Sequence, residues 1–124
     1  MSQLLNLNTY RDERGALTVL EKVLSFEIKR VYYIYAVNPE KVRGGHRHKT
    51  TYQALICLNG ACTILCNDGI ERKTFQLTDP NQCLIVDPKD YHSMKFHTTD
   101  SILLVLASEY FNDEDYIDED YNNL

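Results

Sequence analysis

With 124 residues, 44% of them hydrophobic and 25% charged, the chain has the make-up of one globular domain, residues 1–124. No window nears the ~20 apolar residues of a membrane span, and no basic stretch leads an apolar core in Met1–Tyr10, so neither membrane nor export is expected and the cytoplasm is. The net charge of −5 sits in the tail, where Glu109–Leu124 holds seven acids and no Lys or Arg; residues 1–108 stand at +2, enough for an anionic small molecule and too little for a nucleic acid.

In chain order, Leu17–Glu21, Arg30–Val37, Thr51–Leu58, Ala61–Cys66, Arg72–Leu77, Gln82–Val86, Tyr91–Phe96 and Ser101–Ala107 read as strands. They are rich in Val, Ile, Tyr, Leu and Thr, and turn formers fill many of the gaps. Asn59-Gly60, Asn67-Asp68-Gly69 and Asp79-Pro80-Asn81 are expected turns, because Gly and Asn tolerate positive φ and Pro presets a turn. So many short strands predict an all-β sandwich or closed barrel. Cys57, Cys62, Cys66 and Cys83 form no C-x-x-C pair and three lie in apolar runs, so reduced, packed thiols are expected. The tail is expected to be a short acidic extension, helical or simply ordered. Its aromatics Tyr110, Phe111, Tyr116 and Tyr121 favour docking, and its acids suggest a solvated or docking segment without chemistry.

The chemistry-bearing stretch is Gly44-Gly45-His46-Arg47-His48, followed by Gln53 and Gly60. Residues two apart on a strand share a face, so His46 and His48 should enter one cavity while Arg47 points away. Pro88 to His92 brings a further histidine to a strand start. No Gly-rich dinucleotide motif is present, so no redox cofactor is expected.

The H-x-H-x4-Q-x6-G pattern resembles the first motif of the cupin superfamily, which implies a double-stranded β-helix, or jelly-roll, barrel. In metal-binding cupins two histidines, a glutamate and a later histidine coordinate one ion. Here the glutamate position is Gln53, an uncharged amide with weak affinity for transition metals, so no metal is expected. A closer resemblance comes from the blocks in order: 12–17 (DERGAL), 26–34 (FEIKRVYYI), 43–49 (RGGHRHK), 58–62 (LNGAC), 67–69 (NDG), 103–110 (LLVLASEY) and 115–117 (DYI). Together they resemble the WxcM-like sugar 3,4-ketoisomerases acting on dTDP-4-oxo-6-deoxyglucose, over residues 7–121.

That resemblance implies a cofactor-free isomerase with a dTDP-linked 4-keto-6-deoxy sugar as substrate, and a homodimer exchanging N-terminal strands. It also implies a place in making 3-amino-3,6-dideoxyhexoses for surface glycans. Moving a ketone from C4 to C3 needs a base near neutral pKa, donors for the developing oxyanion and an acid at C4. His46 is the expected base, as the resemblance also implies, and His48 the group that positions or polarises substrate oxygens. Tyr33 or Tyr35, sharing a strand face, would donate to the enediolate, and Gln53 would bind a sugar hydroxyl. Arg14, Arg30, Arg43 and Lys49 are candidates for the diphosphate; Arg30 is also a candidate ion-pair partner of Glu27. Arg14 and His92 are expected to bracket C4, with His92 donating, which favours a galacto over a gluco product. The competing functions are a dTDP-sugar 3,5-epimerase and a non-catalytic cupin that binds a sugar nucleotide.

Overall fold

A computed structural model describes residues 2–123. Twelve strands form antiparallel ladders throughout: β1 (Gln3–Asn6), β2 (Asn8–Asp12), β3 (Gly15–Val19), β4 (Arg30–Ile34), β5 (Val42–His48), β6 (Gln53–Asn59), β7 (Cys62–Asn67), β8 (Arg72–Leu77), β9 (Gln82–Val86), β10 (Tyr91–Phe96), β11 (Ile102–Ala107) and β12 (Tyr116–Ile117). The only helical piece among the described residues is a 3₁₀ turn at Asp113–Asp115, and no helix is long and apolar enough to cross a membrane. One sheet runs β1-β9-β6-β11-β4, the other β12-β5-β10-β7-β8, and β2-β3 form a separate ribbon.

The expected all-β, jelly-roll reading holds, because strand alternation puts one apolar set between the two sheets. Leu55, Cys57, Leu84, Val86, Leu103 and Val105 meet Ile64, Cys66, Met94 and Phe96 in the main core. The first sheet buries its other face as well. There Ala54, Ile56, Cys83 and Leu106 lie under Leu20, Leu24 and Phe26 of the segment before β4. The four cysteines are buried free thiols, as expected.

Each expected strand is present with ends moved by up to three residues. The run begun at Arg30 stops at Ile34 because Ala36 turns to a φ of +57°, a conformation a strand cannot carry. Apart from β5, which only the His46/His48 spacing places on a strand, the composition-based reading did not anticipate β1, β2 and β12. The first and last are edge strands whose order comes from ladders to β9 and β5. The second pairs only with β3 and leaves most of both faces exposed.

Candidate active site

The paired histidines face one cavity because of how β5 is flanked. On β10, His92 stands directly opposite His46, and on β12, Tyr116 stands opposite His48. Cross-strand partners project to the same side of a sheet. The His46 ring centroid is therefore 5.1 Å from His48, 5.2 Å from His92 and 4.7 Å from Tyr116. A register shift between His92 and Ser93 sets the phase, since those residues pair with His46 and Gly44. Gly44 and Gly45 both take positive φ there, and a Cβ on Gly44 would stand 3.0 Å from the His92 carbonyl oxygen. Only glycine fits that bulge without strain. Arg47 points away as expected, donating to the Glu119 carbonyl and stacking 4.3 Å from the Tyr121 ring centroid.

The opposing sheet supplies the other wall. Gln53 enters from β6, 3% exposed, and its Nε2 donates to Tyr32 Oη at 2.9 Å. The phenolic hydrogen of Tyr32 therefore remains available to a ligand. The Arg30 guanidinium lies 4.2 Å from the Tyr32 ring centroid and 5.3 Å from that of Phe111. Among the described residues no carboxylate pairs with it, so the Glu27 ion pair does not form. Between the sheets opens a cavity of about 450 Å³, lined by Arg30, Tyr32, Arg43, His46, His92 and Tyr116, with Tyr33 and Tyr35 also bordering it. That is the size of a small-molecule site.

Burial decides the protonation of the histidines. It lowers the pKa of His46, assisted by the neighbouring His48, and it lowers His48 against the opposing pull of Asp115. His92, wholly buried, is pushed down to about 4. Its Nδ1 sits 3.1 Å from the Asp90 carbonyl, which can only accept, so Nδ1 carries the hydrogen and Nε2 is bare. At rest His92 thus accepts a proton. It can donate at C4, as expected of it, only after taking one up.

Asp115 is the residue that sequence reasoning missed most plainly. Burial would raise its pKa, but hydrogen bonds from Thr51, Thr50 and His48 outweigh that and hold the carboxyl well below the usual range. Its Oδ2 accepts from His48 Nδ1 at 2.8 Å and Thr51 Oγ1 at 2.6 Å, and its Oδ1 accepts from Thr50 N and Oγ1, both at 2.8 Å. The tail therefore docks, as its aromatics suggested, and also furnishes part of the site, contrary to the expectation of a segment without chemistry. Tyr32 was missed for a different reason. Tyr33 and Tyr35 do share a face, stacked 5.8 Å apart, and although both border the cavity each is 63% exposed. The inward parity of β4 belongs to Arg30, Tyr32 and Ile34.

Of the expected ligand-binding residues, Arg30, Arg43 and Tyr35 border the cavity. Gln53 and His48 lie behind Tyr32 and His46 respectively, and two residues fall elsewhere. Lys49 lines a different depression with Arg47 and Lys89. Arg14, at the tip of the β2-β3 ribbon, is paired with Asp12, its Nε 3.1 Å from Oδ2. Within one chain, then, Arg14 and His92 do not line a common cavity.

The superfamily's metal position has an incomplete donor set here. His46, His48 and His92 each bring a nitrogen within 4.8 Å of the others, whereas ligands about 2.1 Å from one tetrahedral ion stand about 3.4 Å apart. The fourth position is the Gln53 amide, engaged with Tyr32.

The family whose model matches residues 1–124 is described as FdtA: WxcM-like, C-terminal. The chain belongs to this family. Over 124 residues it is 39% identical to the TDP-4-oxo-6-deoxy-alpha-D-glucose-3,4-oxoisomerase of Aneurinibacillus thermoaerophilus, covering 98% of this chain and 88% of that one. Among solved structures it is similar to QdtA, a sugar 3,4-ketoisomerase from Thermoanaerobacterium thermosaccharolyticum in complex with TDP. Identity is 41%, the TM-score is 0.90, and 95% of this chain and 88% of that one are covered. A histidine-to-asparagine mutant of QdtA in complex with TDP-4-keto-6-deoxyglucose is 40% identical with a TM-score of 0.90, over 95% and 87% of the two chains. Such relatives make this family member an isomerase. A dTDP-4-dehydrorhamnose 3,5-epimerase from Bacillus anthracis, 18% identical with a TM-score of 0.83 over 93% of this chain and 76% of that one, shares the fold.

Proposed function

We propose that the chain converts dTDP-4-keto-6-deoxyglucose into a dTDP-3-keto-6-deoxyhexose, with His46 as the base at C3. The observation that carries this is the meeting of neutral His46 and His92, the Tyr32 phenol and two arginines in one cavity. The relatives named for the same conversion support it. Two protons must leave C3, one from carbon and one from its hydroxyl, and two must reach C4, one on carbon and one on oxygen. His46 takes the carbon-bound proton, giving an enediolate whose charge on O4 is met by the Tyr32 phenol. His92 takes the hydroxyl proton at its bare Nε2 and, now charged, delivers it to C4. The proton on His46 goes to O4, which leaves the ketone at C3 and both histidines neutral again. No hydride moves, so no redox cofactor takes part.

Arg30 and Arg43 are the cavity's cations for the diphosphate. Delivery from His92 to one face of C4 favours the galacto product. The β2-β3 ribbon forms no ladder with either sheet, which fits a homodimer exchanging N-terminal strands and carrying Arg14 to a second copy's cavity. We place the enzyme in the cytoplasm, making the keto precursor of a 3-amino-3,6-dideoxyhexose for a surface glycan. Incubation with dTDP-4-keto-6-deoxyglucose followed by NMR tests the reading. The expected product has its ketone at C3 and a small H4–H5 coupling, from an equatorial H4. A large coupling would refute the assigned face, inversion at C5 would indicate an epimerase, and unchanged substrate a binding protein.

A further inference from the structure

A histidine that takes a proton on the nitrogen facing its substrate must hold hydrogen on the other nitrogen, and a buried N–H needs an acceptor. His46 makes no hydrogen bond among the described residues. Its neighbour His48 presents the complementary half. His48 is 4% exposed, its Nε2 is buried without a partner, and its Nδ1 is fixed to Asp115. A carboxylate only accepts, so Nδ1 carries the hydrogen and Nε2 is left bare.

We propose that Asp115, delivered by the C-terminal tail, is a positioning residue for the reaction: it fixes the tautomer of His48 so that the bare Nε2 holds the N–H of His46 and steadies the imidazolium formed when His46 takes the C3 proton. The proposal rests on His46 being the base. Geometry supports it from both ends. Four donors on Asp115, three from Thr50 and Thr51 just after β5 and the fourth from His48, leave its carboxylate no freedom to turn away. The backbone N–H of Lys49 also bonds to the Asp115 carbonyl at 2.9 Å, which ties the tail to the strand that bears both histidines. Between the rings, one nitrogen of each lies within 4.8 Å of the other, and the proposed bond closes by rotation of His46 on substrate binding. Active-site hydrogen bonds commonly tighten in that way.

Nitrogen-15 NMR of the unliganded protein reads the tautomer without substrate. The expected result is His48 protonated on Nδ1 and bare on Nε2; the opposite tautomer in the wild type overturns the proposal by itself. In Asp115→Asn the side-chain amide can donate to Nδ1, so His48 should move to the Nε2–H form. Turnover should then fall about 10–100-fold, the usual effect of removing such a supporting partner, with TDP affinity nearly unchanged when assayed well below the melting temperature, which itself falls because the carboxylate's charge no longer stabilises the fold. C3-proton exchange into D₂O should slow by the same factor. A flipped tautomer with unaltered kcat overturns the proposal, as does a loss of kcat that follows a loss of folding with the tautomer unchanged. Retained turnover in His46→Asn would instead remove the base assignment, leaving the tautomer measurement standing, so the two failures are distinguishable.

Discussion

Replacing Tyr32 by Phe removes one oxygen and changes two measurable quantities in separable ways. The first is stability. Gln53 is 3% exposed, and its Nε2 donates to Tyr32 Oη at 2.9 Å, so the variant leaves a buried donor unpaired at about 1–3 kcal/mol. For a domain of this length the melting temperature should fall by roughly 3–12 °C. The second is the chemistry. If the phenol donates to the oxyanion at O4, kcat should fall by about 10²–10³-fold, the usual loss for one such donor. The double variant Tyr32→Phe/Gln53→Leu separates the two, because replacing both partners by apolar groups can be nearly neutral for folding. Differential scanning calorimetry should show most of the lost stability returning, while NMR turnover assays should show kcat still depressed. Recovery of kcat along with stability would mean that Tyr32 only packs the cavity wall, and the oxyanion assignment would fail.

His46→Asn should lower kcat by ~10²-fold or more while TDP still binds, as expected for a lost general base; calorimetric titration with TDP and a turnover assay check both halves. Stability should fall as pH drops from 6.5 toward 4. The folded pKa of His92 is about 4 against an ordinary 6.5, so in that window the unfolded chain binds the extra proton, at a cost approaching about 3 kcal/mol. Urea melts at pH 7 and 4.5 test this, and a His92→Gln variant should show a flatter profile; equal slopes would count against it. Activity should survive EDTA, with far less than one metal per chain by elemental analysis; stoichiometric metal and loss on chelation would overturn that.

What could be read from the sequence followed from local rules. The H-x-H spacing placed His46 and His48 on one face, the turn at Asn67-Asp68-Gly69 closes the β7-β8 hairpin, and the turn at Asn59-Gly60 carries the chain from β6 in one sheet to β7 in the other. Strand β4 shows where such rules fail. Its two parities, Arg30/Tyr32/Ile34 and Val31/Tyr33/Tyr35, each carry a tyrosine and an aliphatic, so alternation could not say which set faces in; the pairing of β4 with β11 decides it. Asp115 was harder still. It meets His48 across 67 residues of sequence, within a run of acids that looks solvated. Only the donors of Thr50 and Thr51 make its burial tolerable.

The placement of Asp115 at His48, and not at His46, follows from counting acceptors. Burial keeps all three histidines neutral at rest, so each offers one bare nitrogen. In the proposed reaction two protons leave C3, and His46 and His92, which line the cavity, are the groups assigned to receive them. The third ring does not line it, so its bare nitrogen can serve only its neighbours. A carboxylate on His46 would occupy the catalytic ring directly and hold its proton there after C3 had lost it, slowing return to O4. Set one ring back, the same carboxylate orients the base through a neutral imidazole and leaves the proton mobile. The tail that brings Asp115 also covers His48 with Tyr116, whose ring lies 4.6 Å from it. One short segment therefore supplies both the carboxylate proposed to fix the tautomer and a ring packed against His48.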